Sequence, residues 1–245
     1  SNQYQDNFKL YENTPALEFQ NNLNEWVVKT PKATIHTKKI IMAVNGHAES
    51  FGFYKRRLMH VFTYASMTRH LTDEEQKTLK GHKSWGINPS DPMGSTVRRI
   101  TGIGGDRILI RNRWTFDPSM EVPIDRVKKF GNDQDESFKK RFPMIKEVSM
   151  EYKWGGRLCL SLNSVPAFGE VEKNIYSACC QNGIGTAKGT LAGIGAADLA
   201  TGINSEIVKD MQTYDQPKKL PPEPFSTIGA RAVIKWREFK AKAEL

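Results

Sequence analysis

The sequence predicts an α+β fold (mixed α/β), dominated by antiparallel strands with a few helices. Three observations predict it. Short apolar runs broken by polar or turn residues recur through 8–46, 57–70 and 147–180, as half-buried strands require. Arg98-Arg99-Ile100-Thr101 and Arg107-Ile108-Leu109-Ile110 flank Gly102-Ile103-Gly104-Gly105-Asp106, which reads as a hairpin. The stretch from Asn182 to Thr201 is built almost wholly of Gly, Ala, Thr, Leu and Ile, the composition of a closely packed helix.

In chain order, Phe8-Lys9-Leu10-Tyr11 reads as a first strand, and residues 8–46 as a small meander. Its further strands carry Ala16-Leu17, Trp26-Val27-Val28 and Thr34-Ile35-His36, before a strand over 39–44 that Asn45-Gly46 ends sharply. Residues 57–70 form one long strand-rich segment. Thr72-Asp73-Glu74-Glu75 has the pattern of a helix start, with Thr72 capping and Glu75 at the third helical position. Residues 133–141 are expected to be helical and 147–153 extended, with 157–162 and 171–180 pairing across the Asn163–Gly169 turn. After the glycine-rich helix come a helical stretch at Glu206–Met211 and a proline-bearing segment. The last helix is amphipathic and carries Ile228, Val233, Ile234, Trp236 and Phe239.

With 245 residues, 38% hydrophobic and 26% charged, the chain has material for a sizeable core and none of the bias of disordered or fibrous proteins. Ile40-Ile41-Met42-Ala43-Val44 is strand-sized, far below the roughly 20 apolar residues that span a bilayer, so no transmembrane segment is expected. The net charge of +9 is scattered as short basic pairs rather than striped, which argues against a nucleic-acid partner. Cys159, Cys179 and Cys180 make no disulfide framework, and a cytoplasmic location is expected. No cysteines have ligand spacing and the five histidines form no HxH or HxxxH pair, so no metal is expected. The start, Ser1-Asn2-Gln3-Tyr4-Gln5-Asp6, has no initiator Met and runs straight into strand-like sequence, as a fragment or subunit would.

Gly183-Ile-Gly185-Thr-Ala-Lys-Gly189, behind an apolar strand, has the G-x-G-x-x-x-G form of a dinucleotide fingerprint. Its surroundings differ from a Rossmann unit, because the helix is followed by Thr201-Gly202-Ile203-Asn204 and more helix, with no second parallel strand. A Walker A loop is also absent, since Lys188 precedes Gly189. Gly185, Gly189 and Gly193 would share one helix face. Two readings stay open at this point: a helix made for close packing, or a helix N-terminus facing a cofactor.

The order of motifs resembles the second half of flavoenzymes of the D-amino-acid-oxidase clan, most of all its gamma-glutamylputrescine-oxidoreductase-like group. The matching pieces are Ala43-Val44-Asn45-Gly46 at a strand end and the basic hairpin with Asp106-Arg107-Ile108-Leu109. They continue with Trp154-Gly155-Gly156, Asn163-Ser-Val-Pro166, Gln181-Asn182-Gly183-Ile184-Gly185, and the tail Leu220-Pro-Pro-Glu-Pro-Phe225 with Ile228-Gly229-Ala230-Arg231-Ala232. The resemblance runs from residue 8 to the end, with the tail its most specific piece. Two departures stand out: the clan's N-terminal G-x-G-x-x-G unit is not in this sequence, and Asn163 stands where the clan usually has Asp.

The resemblance implies a partial FAD-binding domain (1–46 and 152–205) interleaved with an antiparallel-sheet substrate domain (47–151), followed by a docking tail (206–245). It implies FAD as cofactor and oxidation of the C–N bond of a small amine or amino acid by hydride transfer. It also implies a partner, an N-terminal fragment or subunit carrying the G-x-G-x-x-G unit. Gly183, Ile184, Gly185, Thr186 and Lys188 are then expected along the flavin ring, with Gly155 and Gly156 also on the cofactor. Ala16, Ala43, Asn45 and Gly46 are expected nearer the adenosine or pyrophosphate. Arg157, Tyr64 and His60 are the catalytic candidates, Arg157 as a carboxylate binder. The alternative is a non-catalytic subunit or pseudoenzyme that keeps the fold for assembly.

Overall fold

The computed structural model of the chain describes residues 7–241 and 244–245; the start Ser1–Asp6 lies outside them. The first strands are β1 (Glu18–Asn22), β2 (Glu25–Lys29), β3 (Thr34–Thr37) and β4 (Ile40–Met42). The middle of the chain holds β5 (Met59–Thr68), α1 (Asp73–Leu79), β6 (Trp85–Ile87), β7 (Thr96–Ile100), β8 (Arg107–Phe116), α2 (Ile124–Arg141) and β9 (Met150–Leu160). The remainder is β10 (Ala167–Glu172), β11 (Ile175–Cys179), α3 (Gly185–Thr201), α4 (Glu206–Gln212) and α5 (Phe225–Lys240). The contacts divide the chain into two compact units. Unit one is Ser1–Lys55 with Val165–Pro217, and unit two is Arg56–Ser164 with Lys218–Leu245.

Unit one has two small sheets. β1, β2 and β3 form an antiparallel meander whose inward side chains are Trp26 and Val28. The Trp26 indole N–H donates to Lys173 O at 3.0 Å and so ties the meander to the turn between β10 and β11. The second sheet has the order β10-β11-β4, with β11 antiparallel to β10 and parallel to β4. β11 is buried along its whole length, as a central strand flanked on both sides should be.

Helix α3 lies on this sheet through Ala192, Gly195, Ala196 and Ala200, spaced to form one stripe. The close approach expected at Gly185, Gly189 and Gly193 falls instead at Gly195. A Cβ there would come within 3.0 Å of Phe168, whereas at Gly185 and Gly193 it would meet nothing within 4 Å. Helix α4 follows directly after Gly202, so α3 opens no second parallel strand.

Unit two is built on a five-stranded antiparallel sheet of order β6-β7-β8-β5-β9. α2 covers one face, burying Val127, Gln134 and Phe138. The hairpin predicted around Gly102–Asp106 forms, with Ile100 paired to Arg107. Thr72 caps α1 as predicted: its hydroxyl accepts from Glu75 N at 3.2 Å while the Glu75 carboxylate accepts from Thr72 N at 2.8 Å.

Five expectations are corrected. Phe8–Tyr11 is not a strand, and Phe8, Leu10 and Tyr11 are exposed; alternation makes a strand only where a neighbour pairs with it. Strand 39–44 does not belong to the meander, since its paired core, β4, joins β11 instead. The strands expected at 147–153 and 157–162 are one, β9, running through Gly155-Gly156 because continuous pairing with β5 outweighs their freedom. Residues 171–180 accordingly pair not with 157–162 but within their own hairpin, β10–β11, whose turn holds Asn174 at φ +65°. Helix α2 also begins nine residues before the predicted start at 133, with Gly131 and Asn132 inside it.

Candidate functional site

The residues singled out by sequence fall into two groups. The first lies wholly in unit one, at the carboxyl ends of the parallel pair β4 and β11. Parallel strands end side by side, and ligands of such sheets bind beyond those ends. After β4 the chain turns through Asn45 at φ +51° into a short 3-10 helix, Asn45–Phe51, with Gly46 buried. After β11 it turns through Cys180, Asn182 and Gly183, all at positive φ, into α3. The two turns are joined, because Asn45 Oδ1 accepts from Cys180 N at 3.0 Å. Asn182 Nδ2 donates to Val165 O at 3.0 Å and to Cys180 O at 3.1 Å, fixing the loop from inside. The neighbouring Cys179 thiol is pushed upward by burial, as a core cysteine should be.

Helix α3 starts at Gly185 with no side-chain cap, and residues Gly183 to Ala187 are exposed. The first-turn N–H groups therefore lack intrahelical acceptors, and the dipole leaves partial positive charge there. Lys188 stands half-buried in the same turn. The Gln181 side-chain oxygen is buried without a hydrogen-bond partner among the described residues. Ile184 presents an apolar surface beside it. A planar cofactor that carries both acceptors and a donor fits this end: open amides for its acceptors, no side chain at Gly183 or Gly185, and the orphaned Gln181 oxygen, which calls for a donor. Ala43 is exposed just behind Asn45, whereas Ala16 lies at the entry to β1 in the other sheet of this unit.

The second group lies in unit two, on the face of the sheet that α2 covers. His60, Phe62 and Tyr64 alternate along β5, and Arg157 and Gly155 on β9 sit opposite Phe62 and Tyr64. Tyr64 is 1% exposed, packed with Phe62, Val127 and Phe130. Its hydroxyl shares a 2.7 Å hydrogen bond with Thr115, which in turn reaches Asp117, itself bound to Arg126. Burial raises the Tyr64 phenol, so it stays neutral. Gln134 of α2 closes the layer, donating to Tyr64 O at 2.9 Å and to Asn112 Oδ1 at 3.0 Å and accepting from Ser66. His60 is buried, and Arg157 donates to Met120 O at 3.1 Å. Gly155 faces Tyr64, while Gly156 lies on the opposite face, across from Thr63.

Sequence reasoning did not pick out Gln181, Gln134 or the Tyr64–Thr115–Asp117–Arg126 chain. A polar residue inside an apolar strand or beside a glycine turn was the only available signal. Asn163, the departure from the clan's Asp, still accepts a hydrogen bond, from Lys218 N at 3.1 Å. Among the described residues no cluster of His, Cys, Asp and Glu could hold a metal, and no helix is long and apolar enough to cross a membrane.

The sequence profile of the family described as "DAO: FAD dependent oxidoreductase" matches residues 5–199. Gamma-glutamylputrescine oxidoreductase of Escherichia coli (strain K12) is 35% identical over 86 residues, covering 35% of this chain and 18% of that protein. Glycine oxidase from Geobacillus kaustophilus is similar in structure with a TM-score of 0.64 at 16% identity, over 87% of this chain and 54% of that one. L-proline dehydrogenase from P. horikoshii gives a TM-score of 0.60 at 22% identity, over 84% and 54%. Identities this low show a shared fold and nothing finer. The chain spans about half the length of these two solved structures.

Proposed function

We propose that this chain, which belongs to the DAO family of FAD-dependent oxidoreductases, carries the glycine loop and the substrate sheet of an enzyme that oxidises the C–N bond of a small amine or amino acid. The observation that carries the reading is the end of unit one, where the Asn45 turn is tied to the loop that opens α3. FAD is the family's cofactor, and when bound it accepts a hydride from the carbon next to the substrate nitrogen. Gly183, Ile184, Gly185 and Thr186 would hold it through backbone N–H groups and one apolar contact. Lys188 adds positive charge where negative charge develops. Ala43, Asn45 and Gly46 would line the approach to its adenosine side, with Ala16 further off.

The remaining part of the FAD site would come from a segment bearing the G-x-G-x-x-G unit, which residues 1–245 do not contain. β4 supports this reading, because it pairs with β11 alone among the described residues and Ile41 is exposed there. On the sheet of unit two, Tyr64 packs against Val127 and Phe130 of α2, while Arg157 is bound to Met120 O and His60 is buried. We assign them to positioning rather than to contact with substrate.

Residues 1–245 alone are expected to bind FAD weakly. Joined to a G-x-G-x-x-G strand–helix unit, they should retain a flavin whose visible absorbance bleaches anaerobically with an amine or amino acid. Micromolar or tighter binding by residues 1–245 alone would remove the need for the partner segment. Retained flavin that no amine reduces would remove the proposed reaction.

A further inference from the structure

Helix α5 turns its larger apolar side chains away from the sheet on which it packs. At about 100° per residue, Thr227, Ala230, Ile234 and Glu238 share one face, and all four are half-buried. That face rests against β8, where Glu238 accepts from Trp114 N at 3.3 Å. Phe225, Ile228, Trp236 and Phe239 fall within an arc of about 80° on the other side. They are 67%, 62%, 55% and 75% exposed. An amphipathic helix of a globular fold normally turns such a stripe toward the core. Single exposed apolar residues are ordinary, but a run of large ones in helical register is a contiguous patch that marks a contact. No residue from Phe225 to Lys240 is buried, so the outer half of the helix stands clear of the sheet.

The charges beside the stripe say what covers it. By the same helical spacing, Lys235 and then Arg231 border the edge next to Ile228, and Lys240 and then Arg237 border the edge next to Trp236. All four are exposed. The Lys240 ammonium lies 4.0 Å from the centre of the Trp236 ring, so the charge sits directly over an apolar member of the stripe. The acid within the helix, Glu238, faces β8. Glu223, just before the helix, is near Arg231 and accepts from Ser226 and from Thr227 N at 3.3 Å. The outer surface of α5 is therefore apolar along its middle and cationic along both margins. A second copy seated on it would set Arg231, Lys235, Arg237 and Lys240 against their own kind.

We propose that α5 lies in the plane of an anionic lipid surface, with Phe225, Ile228, Trp236 and Phe239 at the acyl boundary and the bordering lysines and arginines against the lipid phosphates. An anionic bilayer offers both halves of the match, hydrocarbon beneath a layer of negative charge. Long basic side chains can lay their stems along the apolar stripe and raise their charges to the headgroups, and an indole sits well at that boundary. A flat surface also reaches every residue of a stripe that stands clear of the sheet. The attachment is peripheral and needs no spanning helix; among the described residues none is long and apolar enough to be one. It does not depend on the amine-oxidation reading.

The test is vesicle flotation with the full-length, flavin-loaded protein. It should float with vesicles of phosphatidylcholine containing about one-third phosphatidylglycerol and stay behind with phosphatidylcholine alone. Salt near 1 M, which shortens the screening length to about 3 Å, should release it. Phe239→Ser, which removes one ring of the stripe, should weaken partitioning about tenfold or more. Lys235→Gln should weaken it about fivefold, for one charge near the surface. Melting temperature and flavin content should match wild type in both variants, because both side chains are exposed. Wild-type protein that ignores the anionic vesicles would overturn the proposal, as would unchanged partitioning in Phe239→Ser. A Phe239→Ser melting temperature several degrees lower would also overturn it, since another segment of the protein then covers the stripe. So would a dimer in sedimentation velocity that Phe239→Ser dissociates, which would make a second copy the occupant.

Discussion

At the carboxyl ends of β4 and β11 the functional groups are made by backbone, whereas on the unit-two sheet they are made by side chains. The first region consists of turns at positive φ, exposed amides and small residues, held by Asn45 and Asn182. The second depends on which of two sheet faces each side chain takes, and on one bulge at Arg113. Backbone sites demand glycine at fixed positions and so mark the sequence directly. Side-chain sites on a sheet are written in register, and a one-residue slip moves a group to the other face.

The sharpest way to break this comparison is Gly185→Val in the full-length protein. Residue 185 is the first of α3, and a Cβ added there meets nothing within 4 Å. Folding stability should therefore hold within about 1 kcal/mol, while bound flavin is lost through steric exclusion. Thermal melts beside the flavin-to-protein absorbance ratio check both halves. Retained flavin would mean that the cofactor does not lie against this loop.

On the side-chain-built sheet the reverse pattern is expected. Tyr64→Ala should cost about 3–5 kcal/mol, the range for emptying a large buried aromatic, because it leaves a cavity under α2 and removes one of the two hydrogen bonds of the Thr115 hydroxyl. Tyr64→Phe should cost only about 1 kcal/mol, for one hydrogen bond. Neither should change the ratio of KM values for amines with and without a carboxylate if Tyr64 only holds α2. A Tyr64→Phe variant with native stability and a changed ratio would return Tyr64 to the substrate.

What the sequence revealed follows the same division. The α+β class, the hairpin at Gly102–Asp106, the Thr72–Glu75 capping box and the start of α3 were legible because each depends on residues within a few positions of one another. The joining of β4 to β11, some 135 residues apart, was not, since nothing local distinguishes a parallel partner from a meander neighbour. Tyr64 and His60 share a face by their even spacing on β5, but which face α2 covers is a tertiary fact. Gly185, Gly189 and Gly193 left two readings open because glycine marks both close packing and an open ligand-facing end. Gly195 is the tightly packed one, where a Cβ would stand 3.0 Å from Phe168, while at Gly189 it would only touch the Gln181 side chain at 3.8 Å.

Asn45→Ala sits between the two regions, being a side chain whose work is to hold a backbone turn. It removes the acceptor for Cys180 N and places alanine at φ +51°, for an expected loss of about 1–3 kcal/mol. Asn45→Gly separates the two causes, since glycine accepts the angle but not the bond. If the bond is what matters, chemical denaturation will show both variants destabilised alike, with weaker flavin retention in each. A stable Asn45→Gly variant would assign the effect to the angle alone.

The smallest effect is expected where a side chain is added to the backbone-built end. Lys188 lies in the first turn of α3, so its charge adds to the partial positive charge already made by the uncapped amides. It is half-exposed, so solvent screens it, and an exposed charge contributes about 0.5–1 kcal/mol at most. Removing it by Lys188→Met should leave flavin bound and make the two-electron reduction potential more negative by about 10–20 mV, since about 30 mV corresponds to 1.4 kcal/mol for such a couple. Helix amides cannot be removed by mutation, so the size of this shift measures how much of the stabilisation they already provide. Potentiometric titration of the flavin-loaded variant against wild type is the measurement. A shift several times larger would make Lys188 the principal positive group and bring this end of the molecule under the same side-chain logic as the sheet.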